Sequence, residues 1–298
     1  MMTYQEQYQK YLDWVERTLP GMLPERPAEE GGQSDEAARY SLMAGGKRLR
    51  PVLLMAVSDM LGVDLSRALP FACALEMIHT YSLIHDDLPC MDNDDLRRGR
   101  PTCHKVFGEA MAVLAGDLLL NRAYEILLDA VDPACPGTLA AARDICRAAG
   151  GQGMIGGQTL DLAAEGRCLS AGELKQMHRQ KTGALLLAPI LAAADLAKAP
   201  PDVVHLLHEY GQSAGLAFQI QDDILDAVAD ARTLGKTAGK DSRDNKATYV
   251  SIYGLAEARR HLVSTLAQAR QAVADLAPYG LETGFLTGFI DFLQTRNH

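Results

Sequence analysis

Residues Ile84–His104 read IHDDLPCMDNDDLRRGRPTCH and combine both signs of charge in one short segment. It contains five aspartates and three arginines, which are Asp86, Asp87, Asp92, Asp94, Asp95, Arg97, Arg98 and Arg100. An acidic run in an arbitrary protein is usually a solvated loop. Here the run follows an apolar helical segment, and equally apolar sequence far downstream carries a second cluster, Asp222, Asp223 and Asp226. Two carboxylate clusters with arginines beside them indicate a divalent metal that holds a polyphosphate.

The composition limits the kinds of partner. The chain has 298 residues, of which 48% are apolar, so it can bury a large core. Its net charge of −9 argues against nucleic-acid partners, which require a basic surface. Binding of an anionic polyphosphate would therefore require metal ions and local clusters of lysine and arginine to offset the negative electrostatic potential of the protein.

Three features predict a cytoplasmic protein without a membrane span. The six cysteines form no CxxC pair, which is typical of reduced cytosolic thiols. The N-terminal sequence MMTYQEQYQK has no apolar signal segment. The longest apolar run, Ala184–Ala194, contains Pro189 and is shorter than the ~20 residues that cross a bilayer.

Apolar residues recur three and four positions apart along the chain, which predicts helices throughout. The first helix is expected over Tyr4–Thr18, ending before Pro20. A helix over Arg67–Asp87 is apolar on three sides and should be central. Because Pro89 disfavours helix at the preceding residue, this helix should end or kink within the aspartate run. The sequence shows no repeat and no linker, so it predicts one all-α domain over residues 1–298, with roughly a dozen helices.

The spacing of the first cluster suits magnesium. Asp86 and Asp87 end a helix. The break at Pro89 lets the chain fold back, so that Asp92 reaches the same ligand. Sets of two or three carboxylates completed by water suit Mg²⁺ that bridges diphosphate oxygens. A calcium EF-hand does not fit the aspartate spacing, and a di-iron bundle needs two Glu-x-x-His pairs where the sequence has one, Glu76–His79.

The second cluster forms a stripe, because residues three and four apart share one face of a helix. On a helix expected over residues 201–231, an otherwise apolar surface carries a polar stripe of Gln219, Asp222, Asp223 and Asp226. Burying unpaired ions is costly, so the stripe must face metal, counter-charge or water. The alternative, a solvent-exposed face of an amphipathic helix, fits the stripe alone equally well.

Basic residues follow both clusters and also open an early helix: Lys47, Arg48, Arg50, Arg97, Arg98, Lys236, Lys240 and Lys246. Lys181 and Thr182 lie inside an apolar helical run, a costly place for a lysine without an anionic partner. Gln158 and Asp161 form another pair on one helix face. Each group alone is explained as a solvated lysine, a helix cap or a satisfied core residue. Together they favour a polyphosphate site.

The joint pattern resembles that of a known family. Six segments occur in the order and spacing of the trans-isoprenyl diphosphate synthases: GGKRLRP (45–51), DDLPCMDNDDLRRGRP (86–101), GQTLDL (157–162), KT (181–182), FQIQDDILD (218–226) and LGKTAGKDSRDNKATYV (234–250). The first aspartate motif carries a two-residue insertion, as in the bacterial farnesyl diphosphate synthases, which the chain resembles in particular. The resemblance covers nearly the whole chain after the first helix and is highly specific.

This resemblance implies an all-α isoprenoid synthase fold, with its helices around a deep central cavity, and a homodimer. It implies an Mg²⁺-dependent prenyltransferase with farnesyl diphosphate synthase activity. Such an enzyme condenses an allylic diphosphate (dimethylallyl or geranyl diphosphate) with isopentenyl diphosphate and releases (2E,6E)-farnesyl diphosphate and pyrophosphate. Three Mg²⁺ ions are expected on the allylic diphosphate, held by Asp86, Asp92 and Asp222, with Asp87 and Asp226 in support.

The resemblance assigns the other site residues to two diphosphates. For the allylic diphosphate it implies contacts from Arg97, Lys181 and Lys236, with Lys246 near a closing loop. For isopentenyl diphosphate it implies Lys47, Arg50, His79 and Arg98. Thr182 and Gln219 lie where the family shields the allylic cation. Catalysis is therefore expected to depend above all on Asp86, Asp92, Arg97, Lys181, Asp222 and Lys236.

Product length is expected to depend on the helical turns before the first aspartates. Tyr81 lies five residues before Asp86, ~7.5 Å along a helix axis, and Ser82 lies one turn before it. Tyr81 resembles the aromatic floor of fifteen-carbon synthases in the family. The alternative is an ordinary core residue, because five residues rotate Tyr81 ~140° away from the face of Asp86.

Three rival functions share part of this pattern. A geranylgeranyl diphosphate synthase would differ in product length alone. A non-catalytic partner subunit of a prenyl synthase usually lacks one aspartate cluster, and a terpene cyclase usually replaces the second cluster by a mixed Asn, Ser and Glu set. Both clusters are intact here, which favours the chain-elongating synthase.

Overall fold

The computed structural model describes residues 2–164, 166–167, 169–234 and 248–296, and of residues 28 and 229–234 it describes the main chain alone. Helices dominate, as the spacing of the apolar residues predicts. They are α1 (Tyr4–Met22), α2 (Gln33–Leu42), α3 (Leu49–Met60), α4 (Leu65–Asp86), α5 (Cys103–Phe107), α6 (Glu109–Asp129), α7 (Pro136–Ala149), α8 (Met154–Ala164), α9 (Ala171–His178), α10 (Ala184–Ala197), α11 (Pro201–Leu234), α12 (Tyr249–Tyr253), α13 (Leu255–Asp275) and α14 (Gly284–Thr295).

Shorter elements join these helices. A π-helical turn, Arg179–Gly183, connects α9 to α10, and an antiparallel pair of two-residue strands, β1 (Leu96–Arg97) and β2 (Arg100–Pro101), follows the first aspartates. The all-α expectation is confirmed. The hairpin was not predicted, because strands of this length are too short to show an alternating pattern. Among the helices of the described ranges, none is both long and apolar enough to cross a membrane.

The described chain forms two compact units, and each is described by itself. The first, called the N-terminal unit, comprises Gln5–Arg143 and Asp195–Lys198. The second, called the C-terminal unit, comprises the described parts of Met1–Tyr4, Asp144–Ala194 and Ala199–His298. That residues 1–298 form one domain stays a prediction.

Helix α4 is the centre of the N-terminal unit. It packs against α3 and α6, and nearly every residue from Phe71 to Ile84 is buried. A fully buried Leu, Ile, Met or Phe side chain contributes ~1.5–3 kcal/mol relative to an exposed one. The central position expected for this helix is therefore confirmed, and it places the first aspartates at the end of a rigid element.

The chain turns back on itself where α4 ends. The helix ends at Asp86, within the aspartate run, as Pro89 predicts. The Asp92 amide then donates to the Asp86 carbonyl at 2.8 Å. The Asn93 amide donates to the Leu88 carbonyl at 3.1 Å. This turn returns Asp92 to the end of the helix despite the six-residue spacing.

Helix α11 is the longest element of the C-terminal unit and packs against α13 and α14. The buried Tyr210 of α11 donates its hydroxyl to the Leu286 carbonyl of α14 at 3.1 Å. Helix α8 approaches the π-helical turn so closely that a Cβ at Gly157 would overlap the main chain of Lys181. The glycine thus sets the short separation between α8 and the segment that carries Lys181.

Helix α1 continues through Pro20 to Met22. The expectation that it ends before Pro20 is wrong: the proline lacks the amide that would bond to the carbonyl four residues earlier, yet the helix continues for two more residues. Leu19 and Leu23 beside it are fully buried. Arg39 donates to the carbonyls of Pro20 and Leu23 at 3.2 and 2.6 Å. Packing and these bonds outweigh the cost of the proline.

Candidate active site

Asp87 and Arg97, both predicted site residues, form an ion pair in the N-terminal unit. Asp87 is buried at the C-terminal cap of α4, and Arg97 reaches it from β1. The Arg97 Nε donates to Asp87 Oδ1 at 2.8 Å, and Nη2 contacts the same oxygen. Burial raises the pKa of Asp87, and the guanidinium opposes that rise. The pair fixes Arg97 beside the first aspartate cluster.

The remaining aspartates of the first cluster fall into two groups. The main-chain bond between Asp92 and Asp86 holds these two residues at one turn. Asp94 lies 3.4 Å from the Nη2 of Arg97, and the exposed Asp95 pairs with Lys105 at 2.7 Å. Asp94 and Asp95 therefore belong to ion pairs near the surface, whereas the turn brings Asp86 and Asp92 together.

At the β1–β2 turn, the consecutive residues Arg97 and Arg98 contact different neighbours. Its central residues, Arg98 and Gly99, have φ values of 53° and 74°, as a two-residue type I′ hairpin requires. Arg97 pairs with Asp87, whereas Arg98 donates to the main-chain carbonyl of Gly45. The turn thus connects the first aspartate cluster to the GGKRLRP segment.

A group of cations surrounds His79 on α4. Burial, followed by the charges of Arg50, Arg98, Arg48 and Arg97, lowers the pKa of His79 well below its ordinary value. The Arg98 guanidinium lies against Gly46, where a Cβ would overlap it and where φ is +121°. The structure therefore groups Arg50, His79 and Arg98, and Lys47 lies directly before Arg48, the N-cap residue of α3. We call these four residues the His79 cluster; a neutral imidazole among guanidinium charges suits a polyanion.

Tyr81 is buried within the N-terminal unit. Its ring meets that of His85 edge to face, with the centroids 5.7 Å apart. Its hydroxyl is buried and has no hydrogen-bond partner among the described residues, and burial, with the nearby Tyr124, raises its pKa. Packing alone therefore holds the ring in place. The Ser82 hydroxyl donates to the His79 carbonyl at 2.9 Å and is satisfied within the helix.

His85 connects Tyr81 to helix α6. The His85 Nε2 lies 3.0 Å from the Val113 carbonyl of α6. Its ring lies on Gly116, where a Cβ would overlap three of the ring atoms. The position of the His85 ring therefore depends on the small residue at 116. Neither His85 nor Gly116 was a predicted site residue, because a close contact between two helices leaves no local signal.

The residues of the polar stripe on α11, in the C-terminal unit, have different surroundings. The buried Asp223 accepts hydrogen bonds from the Gln219 Nε2 at 3.0 Å and the Tyr249 amide at 2.7 Å. Burial raises the pKa of Asp223 to about 6. Asp223 therefore anchors the first turn of α12. Asp222 and Asp226 keep exposed surface, so an incoming ligand could reach them.

Arg296 is a site residue that the sequence does not indicate. Its Nη2 contacts Asp222 Oδ1 and donates to the Phe218 carbonyl at 3.2 Å. The guanidinium lies 4.0 Å from the centre of the Phe218 ring. The Gln221 Nε2 donates to the Arg296 carbonyl at 3.1 Å. Arg296 thus supplies counter-charge to a predicted metal ligand, and helical periodicity could not reveal a contact between positions 74 apart.

Lys181 has the anionic partner that its apolar surroundings require. It lies in the π-helical turn with Thr182 beside it, and such turns are frequent at functional sites. The Lys181 Nζ lies 2.6 Å from Asp161 Oδ2, and both side chains are partly exposed. An incoming anion could therefore reach the ammonium group. The predicted residues Lys236 and Lys246, with Lys240, lie outside the described residues.

The carboxylates suit magnesium that is bound together with substrate. In the described ranges, no group of three or more His, Cys, Asp or Glu side chains could hold a metal ion by itself. Mg²⁺ usually binds through one or two carboxylates and completes its octahedron with water and substrate phosphate oxygens. The hard oxygen donors of the two clusters fit that mode; they are Asp86, Asp92, Asp222 and Asp226.

The profile of the Polyprenyl synthetase family matches residues 33–279. The chain belongs to that family. The farnesyl diphosphate synthase of Geobacillus stearothermophilus is 48% identical over 265 residues, 88% of either chain. The heterodimeric geranylgeranyl pyrophosphate synthase large subunit 1 of Arabidopsis thaliana, a chloroplastic protein, is 47% identical over 250 residues, 82% of this chain and 67% of that one.

A solved structure of a related protein has the same fold. The crystal structure of an FPP/GFPP synthase from Zymomonas mobilis superimposes with a TM-score of 0.85 at 36% identity, and the match covers 97% of this chain and 98% of that one. The expected isoprenoid synthase fold is confirmed, and so is the family that the six segments indicate. All six segments lie within the matched residues 33–279.

Proposed function

We propose that this polyprenyl synthetase is a farnesyl diphosphate synthase, which condenses dimethylallyl or geranyl diphosphate with isopentenyl diphosphate. The observation that carries the proposal is the division of Arg97 and Arg98 between two polar environments. Arg97 belongs to the first aspartate cluster and Arg98 to the His79 cluster. Two environments suit two diphosphate substrates. Relatives named farnesyl diphosphate synthase support the choice of product.

The first aspartate cluster and the stripe on α11 are assigned to the allylic diphosphate. Breaking its C–O bond develops negative charge on the leaving group, and bound Mg²⁺, three ions by the family resemblance, would stabilise that charge. Asp86, Asp92 and Asp222 would hold the metal, supported by Asp87 and Asp226. Contacts that strengthen as the charge develops raise kcat rather than lower KM alone. We assign these contacts to Arg97, Lys181 and Lys236.

The His79 cluster is assigned to isopentenyl diphosphate, with Lys47 and Arg50 from the GGKRLRP segment. The double bond of this substrate attacks the allylic carbon, and a proton then leaves the new chain; pyrophosphate is the proposed acceptor. No protein nucleophile is required. The tasks of the protein are to orient the two substrates and to keep water from the cation. We assign Thr182 and Gln219 to the shielding of the cation and Lys246 to the allylic diphosphate.

Tyr81, with Ser82 beside it, is the proposed limit on chain length. Its ring is bulky and buried, and its hydroxyl has no hydrogen-bond partner in the part of the chain that the structure describes, so a smaller side chain here would leave space. A geranylgeranyl diphosphate synthase is the second candidate, because the Arabidopsis relative of that name is 47% identical. A homodimer and a cytoplasmic location remain part of the proposal.

The proposal is tested by product analysis. Purified protein is incubated with MgCl₂, geranyl diphosphate and radiolabelled isopentenyl diphosphate, and the products are dephosphorylated and separated by chromatography. We expect a fifteen-carbon alcohol, which disappears when EDTA replaces MgCl₂. A twenty-carbon product would support the second candidate. Folded protein that forms no prenyl product with any starter would refute the assignment to chain elongation.

A further inference from the structure

Arg48 lies in the basic GGKRLRP segment, yet it faces the interior of the N-terminal unit. Its side chain is fully buried. The Nε donates to Glu16 Oε1 at 2.7 Å, and Nη1 donates to Glu76 Oε1 at 2.8 Å. The Nη2 donates to the Leu42 carbonyl at 2.6 Å. All three guanidinium nitrogens are thus committed to the protein, and Arg48 joins α1, α4 and the end of α2.

This buried ion network is not explained by stability alone. Glu76 is as buried as Arg48, and its Oε2 has no hydrogen-bond partner among the described residues. Desolvating two charges offsets much of their mutual attraction, and apolar residues of similar volume often stabilise a protein equally well. A buried ion pair that contributes little net stability can still specify one geometry.

The network determines the position of the segment that carries Lys47 and Arg50. Arg48 is the N-cap residue of α3 and has φ of 45°, a left-handed conformation that few residues other than glycine adopt. The bonds of its side chain hold that conformation. The preceding residue is held as well, since the Tyr8 hydroxyl of α1 donates to the Lys47 carbonyl. Arg50 follows in the first turn of α3.

The same network reaches the helix that carries His79. Glu76 lies three residues before His79 on α4, so the two residues share one face of that helix. Arg98, in the β1–β2 turn, contacts the Gly45 carbonyl of the GGKRLRP segment. Lys47, Arg50 and His79 therefore belong to segments that Arg48 and its partners join, and Arg98 contacts one of those segments.

We infer that Arg48 is a positioning residue for the isopentenyl diphosphate site: its bonds to Glu16, Glu76 and the Leu42 carbonyl orient Lys47 and Arg50 without contact to substrate. This role rests on the proposed function, because it assigns the His79 cluster to isopentenyl diphosphate. In this role Arg48 differs from Lys47 and Arg50, which are assigned to contacts with the diphosphate itself.

The test compares the Michaelis constants of the two substrates in variants. Arg48→Met/Glu76→Met removes both buried charges and keeps similar volume. We expect a folded protein in which the KM for isopentenyl diphosphate rises about tenfold or more, because small displacements of binding groups have large effects. The KM for geranyl diphosphate should change much less, since Lys47 and Arg50 are not assigned to that substrate. Arg48→Lys keeps the charge, but its three N–H donors share one compact nitrogen and lack the planar fork that reaches three separate partners. It should give a smaller rise.

Leu127→Ala is the matched control. Leu127 is buried on α6, so its truncation leaves a cavity and lowers stability without altering the network. The ratio of its two KM values should remain that of the wild type. If the folded double variant keeps the wild-type KM for isopentenyl diphosphate, or raises both KM values equally, the positioning role is wrong. Should the double variant not fold, a wild-type KM for isopentenyl diphosphate in Arg48→Lys would overturn the role instead.

Calorimetric titration with isopentenyl diphosphate alone separates this inference from the proposed function. A wild type that binds this ligand but forms no product would refute the synthase activity. Loss of binding in the double variant would then still support the role of Arg48, and retained binding would overturn it. If the wild type does not bind isopentenyl diphosphate, the positioning role is refuted together with the site.

Discussion

The guanidinium of Arg296 lies against the carboxylate of Asp222, and both residues belong to the surroundings of the second aspartate cluster. The Arg296 side chain is almost fully buried, whereas Asp222 is 37% exposed. The carboxylate that is proposed to bind Mg²⁺ is thus already paired with a cationic side chain. Arg296 and the metal would compete for Asp222.

We therefore expect Arg296→Met to bind Mg²⁺ more tightly than the wild type. A partly exposed ion pair contributes about 0.5–1 kcal/mol, which corresponds to about a two- to fivefold gain in affinity. The measurement is a calorimetric titration with MgCl₂ in the presence of inorganic pyrophosphate. Arg270→Met, which breaks an exposed pair with Asp291 in the same unit, is the control and should not alter affinity. Unchanged or weaker Mg²⁺ binding in Arg296→Met contradicts the competition.

Asp86→Ala and Asp222→Ala are each expected to reduce kcat by at least about 10²–10³-fold, because each removes a proposed ligand of the metal that stabilises the leaving group. Thermal unfolding of Asp86→Ala should change little, since that side chain keeps exposed surface. Asp222→Ala should also remain folded, at a somewhat lower unfolding temperature, because it removes the carboxylate that pairs with the buried Arg296. Asp95→Ala is the control within the first cluster. Asp95 is exposed and pairs only weakly with Lys105, so turnover should stay near normal. Near-normal turnover in Asp86→Ala or Asp222→Ala would refute the metal assignment.

Tyr81→Ala is expected to lengthen the product from fifteen to twenty carbons or more, because loss of the ring leaves space beside α4, five residues before Asp86. Chromatography of the dephosphorylated products measures this directly. Phe71→Leu, a buried change near the start of the same helix, should leave product length as it is. An unchanged product from Tyr81→Ala would make Tyr81 an ordinary core residue.

Gly116→Ala is expected to destabilise the protein by about 1–3 kcal/mol, because its Cβ overlaps the His85 ring and overpacks the contact between α4 and α6. His85→Ala should relieve this cost when the two changes are combined. Chemical denaturation of the wild type, both single variants and the double variant yields the interaction energy. Additive effects would show that His85 moves aside freely and that Gly116 does not fix its position.

His178 is expected to make stability depend on pH. Burial lowers its pKa to about 4, while in the unfolded chain it is ~6.5. The unfolded state then binds a proton that the native state does not, so this stabilisation is complete above pH ~6.5 and falls as the pH drops towards 4. About 2 kcal/mol should be lost between pH 7 and 5.

His178→Phe tests this dependence, because it keeps an aromatic ring stacked on Tyr249 and removes the titrating group. Its free energy of unfolding should fall less than that of the wild type between pH 7 and 5. Denaturant unfolding at the two pH values provides the comparison. Equal losses in the two proteins would mean that His178 titrates alike in the native and unfolded states.

Features that depend on neighbouring residues in the sequence were predictable. Helix α4 is central because its own residues are apolar, and it ends at Asp86 because Pro89 lies three positions on. That Lys181 needs an anionic partner also follows from the apolar sequence around it. Only the structure identifies Asp161 as that partner.

Features that depend on distant partners were not predictable. Lys47, Arg48 and Arg50 are basic residues of one short segment, and nothing local distinguishes them. Arg48 turns inward because Glu16 and Glu76, 32 and 28 positions away, meet it in the folded chain. The contact of Arg296 with Asp222 has the same origin. Local periodicity reports which face of an element is buried, and it does not report which charged groups meet there.

The two-residue turn between β1 and β2 has a thermodynamic consequence. Arg97 and Arg98 are adjacent, and each contacts a different part of the N-terminal unit, so a shift of the turn at one of these residues would displace the other. Filling one diphosphate site should therefore change the affinity of the second. Linkage requires the two changes to be equal in size. The hairpin Leu96–Pro101 would thus make the two substrates reciprocal effectors of one another before any bond is formed.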